Sequence, residues 1–281
     1  MNIISVIRQA RYEEKSKLYT RAFNTYGKAL ELTKSEVTKI RLESYRGWTL
    51  HKIGNFEQAI ELFNSVLKKY DHAYAYLVAA LYFYKAGKLK SSKNLLQKGI
   101  EKFPDYLELY LTLSSILKDS ERANESIQVL KQALSREQLI KGKGGILRKD
   151  IWAELGNLYF ERGNYNSCIL CLKKSMNMDL EENFLHYPIL SKCYLILGDP
   201  KNALLYIEKQ LLFYEDLDQD DYITKARAHA RLGELHLASA SLLQAYDADG
   251  VLRISSEEMT DFSKLMQNGF FDTIENLEIG E

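Results

Sequence analysis

Apolar residues recur three or four positions apart along nearly the whole chain, stop at a glycine, and resume with the pattern moved to a new face. The clearest stretch has Trp152, Leu155 and Tyr159 on one helical face, Gly163 ending the run, and Tyr165, Cys168 and Leu172 forming a second face. This predicts two helices joined by a turn, with Gly163 supplying a positive φ that residues bearing a Cβ adopt only at a cost. Gly156, small and on the inner face, lets the second helix approach closely. Gly54, Gly87, Gly163, Gly198 and Gly233 each close such a stretch, at spacings of 33, 76, 35 and 35 residues, the long one being two periods with a short insertion. A period in this range predicts a row of stacked helical hairpins.

Other stretches fall on the same frame. Residues 73–104 give Tyr76, Ala80, Phe83, Gly87 and Ser92; residues 184–212 give Tyr187, Ser191, Tyr194, Gly198 and Ala203; residues 219–250 give Tyr222, Ala226, His229, Gly233 and Ala238. Three stretches depart from it. Residues 40–70 carry Glu43 and Arg46 at two large apolar sites, three apart and expected to pair on the surface. Residues 107–136 put Glu121 where the turn glycine stands, which predicts a strained turn. The first hairpin is legible mainly in its second helix, through Tyr19, Ala22, Tyr26 and Ala29, because Gln9 and Glu13 occupy apolar sites of its first.

The frame resembles the tetratricopeptide repeat, a family of helix–turn–helix units about 34 residues long, and the resemblance covers most of the chain. It implies an all-α, right-handed α-solenoid of about seven units, near 3–36, 40–71, 73–106, 107–140, 149–182, 184–217 and 219–252, the array spanning 1–253. The run KGKGG, Lys141 to Gly145, reads as a flexible insertion over 141–148. Residues 254–281 read as a capping helix and an acidic tail. Ser256 starts the helix, and Met259, Phe262, Leu265 and Met266 lie on one side. In the tail, Phe270, Phe271, Ile274 and Leu277 have helical spacing, which fits either a further packed turn or a segment that docks on another copy.

In this family the first helices of successive hairpins line a concave groove. The resemblance therefore points to the non-core positions of the second and third units: Tyr45, Trp48, His51, Tyr74, Leu77, Leu81 and Tyr84. Such an aromatic patch would anchor a peptide or helix, unless Trp48 and its neighbours fill the contacts between adjacent repeats. Further along, Lys192, Arg227 and Arg231 are placed to meet an acidic ligand. The Lys, Asn and Arg set with which some relatives clamp a C-terminal carboxylate is missing, its positions holding Ser44, Trp48, Leu77, Leu81, Leu111 and Ser115.

With 46% hydrophobic residues and 3 prolines in 281, the chain can bury a substantial core and keep its helices unbroken. Its net charge is zero, yet residues 1–150 carry 27 Lys and Arg against 16 Asp and Glu, and residues 151–281 carry 11 against 22. Opposite blocks of charge steer association, so either an acidic partner on the first half or self-association through the oppositely charged halves is expected, the alternative being ordinary solvated faces. No apolar run approaches the ~20 residues of a transmembrane segment, Arg8 and Arg11 come too early for a signal peptide, and three cysteines do not make a disulfide framework. A cytoplasmic location is expected.

Candidate chemistry is sparse. Cys168 and Cys171 have redox-motif spacing but fall inside a second helix, a structural setting. The five histidines make no metal-ligand spacing, and the glycines at 142–145 lack the lysine and hydroxyl of a phosphate loop. Asp247-Ala-Asp249-Gly250 matches part of a calcium loop but lacks both anchoring ligands. The lysines are spread over many helices and most tyrosines sit on core positions, which disfavours nucleic acid. The expected function is a non-enzymatic scaffold for a protein or peptide partner, with no metal and no cofactor. The alternatives are a subunit of a larger membrane-associated assembly and a regulator that binds a peptide or other signal ligand.

Overall fold

The structure, a computed structural model, describes residues 2–135, 145–178, 184–214 and 217–280, arranged in two units, Met1–Leu147 and Arg148–Glu281. The first unit holds four antiparallel hairpins: α1 (Ile3–Lys15) with α2 (Tyr19–Glu31), α3 (Glu36–Ile53) with α4 (Phe56–Lys69), α5 (Ala73–Lys85) with α6 (Leu89–Lys102), and α7 (Leu107–Lys118) with α8 (Ala123–Ser135). The second holds α9 (Gly145–Glu161), which opens at the boundary, with α10 (Tyr165–Met176); α11 (Tyr187–Ile196) with α12 (Pro200–Leu211); and α13 (Gln219–Arg231) with α14 (Leu235–Asp249). The fold class is the all-α solenoid expected from the period.

One turn geometry recurs in all seven hairpins. The backbone N–H just past each turn residue bonds back to a carbonyl five residues earlier: Leu18 to Glu13, Asn55 to Leu50, Lys88 to Phe83, Arg122 to Leu117, Asn164 to Tyr159, Asp199 to Tyr194 and Glu234 to His229, all at 2.8–2.9 Å. This closure satisfies a helix carbonyl that would otherwise be orphaned, and it requires a left-handed residue at the turn. The five turn glycines provide it with φ between 69° and 92°. The other two turns use Lys17 at φ 60° and Glu121 at φ 59°. Since the left-handed region costs a residue with a Cβ about 1–2 kcal/mol, Glu121→Gly is expected to stabilise the first unit by about 0.5–1 kcal/mol after the added unfolded-state freedom of glycine is subtracted. Chemical denaturation checks this; an unchanged or lowered midpoint would contradict it.

Small residues sit where the two helices of a hairpin cross. A Cβ on Gly47 would lie 2.4 Å from the Phe63 ring, and one on Gly156 would lie 2.4 Å from Leu172 Cδ2. In the next two hairpins of the first unit the crossing is polar but satisfied: buried Ser92 donates to Ala80 O at 2.7 Å, and Ser126 lies 2.6 Å from the Ser114 hydroxyl and donates to Ser114 O.

The sequence departures have physical explanations. Glu43 and Arg46 do pair, at 3.0 Å, but not on the surface: Glu43 is buried, and the Arg46 guanidinium lies 4.2 Å over the Phe23 ring. An arginine whose stem packs and whose head stacks can occupy an apolar position. Glu13, also buried, accepts from Gln9 at 3.0 Å and from Thr25 at 2.7 Å. Residues 141–144 of the expected insertion lie outside the described residues, whereas its last part, 145–148, is already helical in α9.

The expected single capping helix is corrected. The segment after α14 begins with a strand, β1 (Leu252–Ser255), and continues as α15 (Ser256–Met259), a 3-10 turn (Thr260–Phe262) and α16 (Ser263–Gln267). The cap is Ser255 rather than Ser256, in a reciprocal capping box with Glu258. Met259, Phe262 and Leu265 are buried as expected, but Met266 is exposed. The tail is also more than a packed turn: after a 3-10 turn at Phe270–Thr273 it forms β2 (Leu277–Gly280), parallel to β1.

One buried carboxyl makes the second unit pH-sensitive. Gln210 Nε2 donates to Asp221 Oδ2 at 2.5 Å, while Asp221 Oδ1 and Gln210 Oε1 lack partners. Burial pushes the Asp221 carboxyl above its ordinary value, helped by Asp218 and Asp220 and opposed by the Gln210 hydrogen bond and Lys192. Because the folded-state pKa is raised, this contribution to stability is full below the unfolded pKa and is lost as pH rises through the folded one. Asp221→Asn, which places a donor beside Gln210 at any pH, is expected to stabilise the second unit at neutral pH and to remove that part of the decline. Equal pH profiles for the two proteins would contradict this.

Candidate protein-interaction groove

The first helices of neighbouring hairpins pack directly, α3 on α5 and α5 on α7 in the first unit and α11 on α13 in the second, while second helices meet more sparsely. The first-helix side is therefore the inner face of each stack. In the first unit it is cross-linked from one hairpin to the next. Arg11 donates to the Tyr45 hydroxyl at 3.2 Å, Lys52 meets Glu14 at 2.7 Å, and the Arg41 guanidinium lies 5.9 Å from the Tyr74 ring centre. Tyr84 donates to Asp119 at 2.5 Å, and that bond holds its phenol above the ordinary value.

The expected anchor residues divide into two groups on this face. Trp48 and His51 belong to an aromatic cluster that joins α3, α4 and α5: the Trp48 ring centre is 5.2 Å from Tyr82 and 6.3 Å from Phe63, and His51 is 4.8 Å from Phe56. Both are half-buried, so each presents one edge outward while the rest fills the contact between repeats. Leu77 is buried. Tyr45, Tyr74 and Tyr84 are half-buried with their polar atoms or rings engaged by the neighbouring hairpin, and Leu81 is 38% exposed. The surface that remains for a ligand is the Leu81 side chain with the outward faces of these rings.

In the second unit, Lys192 and Arg227 line a cleft of about 250 Å3 with Phe160, Leu195, Asp220 and Glu258, and Arg231 is joined to Arg227 through Asp261. The arginines already have acidic partners within the chain. Arg227 bonds Asp261 at 2.7 Å and Glu258 at 2.9 Å; Arg231 bonds Asp261 at 2.7 Å and the Leu195 carbonyl at 2.5 Å. Lys192 lies 3.4 Å from Asp220. Glu258 and Asp261 were not foreseen as partners, although Asp261 stands 34 residues after Arg227, the same one-period offset that joins Arg11 to Tyr45. That offset was the available signal.

Among the described residues, no catalytic arrangement emerges from the buried polar groups. Ser175 lies 3.2 Å from His186 Nε2, but its hydroxyl donates to Lys149 O at 3.0 Å and is fully buried, so it accepts from the imidazole rather than being activated by it. Cys168 contacts Cys193 rather than serving a redox pair with Cys171; all three cysteines are buried and outside any disulfide, and the contact with Cys193 and burial push Cys168 strongly up, keeping it protonated. Asp249 ends α14, Gly250 follows it in the left-handed region, and the Asp249 carboxylate binds Arg253. Among the described residues, no three His, Cys, Asp or Glu side chains gather as a metal site requires, and no helix is long and apolar enough to cross a membrane.

Comparisons with known proteins agree with this geometry. A model of the tetratricopeptide repeat matches residues 107–138 and 150–182. A TPR repeat-containing protein of Methanocaldococcus jannaschii is 26% identical over 157 residues, which are 51% of this chain and 26% of that protein, so the match spans about a quarter of the relative. Among solved structures, the C-terminal part of a TPR repeat-containing protein from Cytophaga hutchinsonii is similar in fold with a TM-score of 0.61 at 15% identity, covering 92% of this chain and 99% of that one. PilF of Pseudomonas aeruginosa gives 0.56 at 15% identity, covering 80% and 97%. YrrB, described as a TPR protein with an unusual peptide-binding site, gives 0.56 at 14% identity, covering 66% and 91%. The residues matched by the family model, 107–138 and 150–182, are thus tetratricopeptide repeats, and the seven turns closed by the same hydrogen bond carry the same hairpin fold through the described chain.

Proposed function

We propose that the chain is a non-enzymatic scaffold whose first unit holds a segment of a protein partner against the inner face of α3, α5 and α7. The observation that carries this reading is Leu81, an apolar side chain exposed on α5, on the helical face that also carries Tyr74 and Tyr84, with Tyr45 on the adjoining α3; the polar groups or rings of these tyrosines are engaged by neighbouring hairpins. Rings held in place lose little freedom on binding, which favours them as anchors. The fold shared with YrrB carries a peptide-binding site in that protein, which supports the same use here. Buried cysteines that form no disulfide suit a reducing compartment, so a cytoplasmic setting belongs to the proposal.

The excess of lysine and arginine in the first half favours an acidic partner. Binding is then expected to weaken as salt rises from low to high, because exposed charges are screened beyond about 8 Å at physiological ionic strength. An affinity that does not change with salt would remove charge from the account. Leu81→Glu is expected to weaken partner capture at least tenfold while leaving the unfolding midpoint within about 0.5 kcal/mol, as for an exposed position. Undiminished capture by this variant would count against the groove.

A further inference from the structure

Among the described residues, the two-stranded sheet of the second unit has one edge covered by a side chain and one edge without a backbone partner. On the outer side of β1, the Gln219 side chain acts as a substitute strand: its Nε2 donates to Val251 O at 2.6 Å and its Oε1 accepts from Arg253 N at 3.3 Å. The edge of β2 is different. With Leu252 paired to Leu277 and Leu252 N bonded to Asn276 O, the parallel ladder directs the N–H groups of Glu278 and Gly280 toward β1 and those of Leu277 and Ile279 away from it. The apolar row Leu252, Ile254, Leu277, Ile279 runs from fully buried in β1 to 54% exposed at Ile279. On the opposite face, Arg253 of β1 pairs with Glu278 of β2 at 3.0 Å, and Glu278 is exposed on its far side. Glu275, exposed two residues before β2, adds a further negative charge near its start.

The geometry points to the outer edge of β2 as a docking site for an extended polypeptide segment that alternates apolar and basic residues. Such a segment continues both rows: its apolar side chains extend the row that ends at Ile279, and its basic side chains follow Arg253 and Glu278 with a third charge of alternating sign. A second copy of this chain is the poorer occupant. Among the described residues it offers only β1, closed by Gln219, and β2, whose Glu278 would face its own equivalent.

The test uses the full chain and two synthetic octapeptides, (Lys-Val)4 and (Glu-Val)4, with Ile279→Pro as the variant. Proline at 279 removes an outward N–H and the exposed Ile279 side chain but no N–H that points toward β1, so the ladder to β1 and the unfolding midpoint are expected to persist. Deuterium exchange of the wild-type Leu277 and Ile279 amides provides a second reading that needs no variant. The proposal expects (Lys-Val)4 to bind, to slow exchange at those two amides, and to bind Ile279→Pro at least tenfold more weakly, with (Glu-Val)4 at least tenfold weaker on the wild type. Absence of (Lys-Val)4 binding, equal binding to Ile279→Pro, equal binding of both peptides, or protection of these amides by dimerisation without peptide would each overturn it.

Discussion

Tyr82→Ala is expected to lower the stability of the first unit by about 3–5 kcal/mol, the range for removing a large buried aromatic ring. Tyr82 is fully buried on α5 and is the hub of the cluster that joins the second hairpin to the third. Phe63 of α4 stacks on it with ring centres 4.3 Å apart and an 18° interplanar angle, and Trp48 and His51 of α3 approach edge-on at 5.2 and 5.7 Å. Its hydroxyl lies 3.4 Å from His51 Nδ1. In a repeat stack, stability is held largely in such contacts between neighbours, so losing the ring weakens the coupling of two hairpins as well as leaving a cavity. Tyr82→Phe, which keeps the ring, should cost only about 1 kcal/mol. Urea titration of the three proteins checks both; a loss below 1 kcal/mol for the alanine variant would contradict the assigned role.

Asp261→Ala is expected to lower the stability of the second unit by about 3 kcal/mol, the upper range for hydrogen bonds to charged groups. This carboxylate accepts from Arg227 and Arg231 together, and both it and Arg227 have only 11% of the side chain exposed. Removing it leaves Arg227 with Glu258 alone and detaches the segment carrying Phe262 from α13. The loss is expected to be larger than for either Arg231→Ala or Lys192→Ala, since those side chains are about 30% exposed and water can replace part of what they lose. If Asp261→Ala unfolds no earlier than Lys192→Ala, the arginines are not held as described and become available to an acidic ligand, as the sequence alone suggested.

The hairpin frame was legible because one closure requires one kind of turn residue, and five of the seven turns use glycine. Lys17 gave no such signal, and the first hairpin was correspondingly faint. Trp48 could not be assigned from sequence, since its position borders both the groove and the next repeat; the three-dimensional contacts place most of the ring between repeats. The capping segment departs from a single helix for a physical reason. Leu252 and Ile254 alternate with Arg253, and Leu277 and Ile279 alternate with Glu278, which is a strand period, but each run is only four residues long and lies beside a helical pattern. Three of the four apolar positions of the cap, Met259, Phe262 and Leu265, are buried, because burial depends on the face, whereas continuity of the helix depends on the tertiary tie to β2.

The central claim, that the inner face of α3, α5 and α7 holds a protein partner, is tested most directly by photo-crosslinking in native lysate. A photoreactive residue at Leu81 is compared with one at Asn64, which is exposed on the second helix α4. The account predicts a specific protein covalently joined through position 81 and absent from the position 64 sample, with both proteins unfolding at the wild-type midpoint. The same products from both positions, or no protein product from position 81, would contradict it.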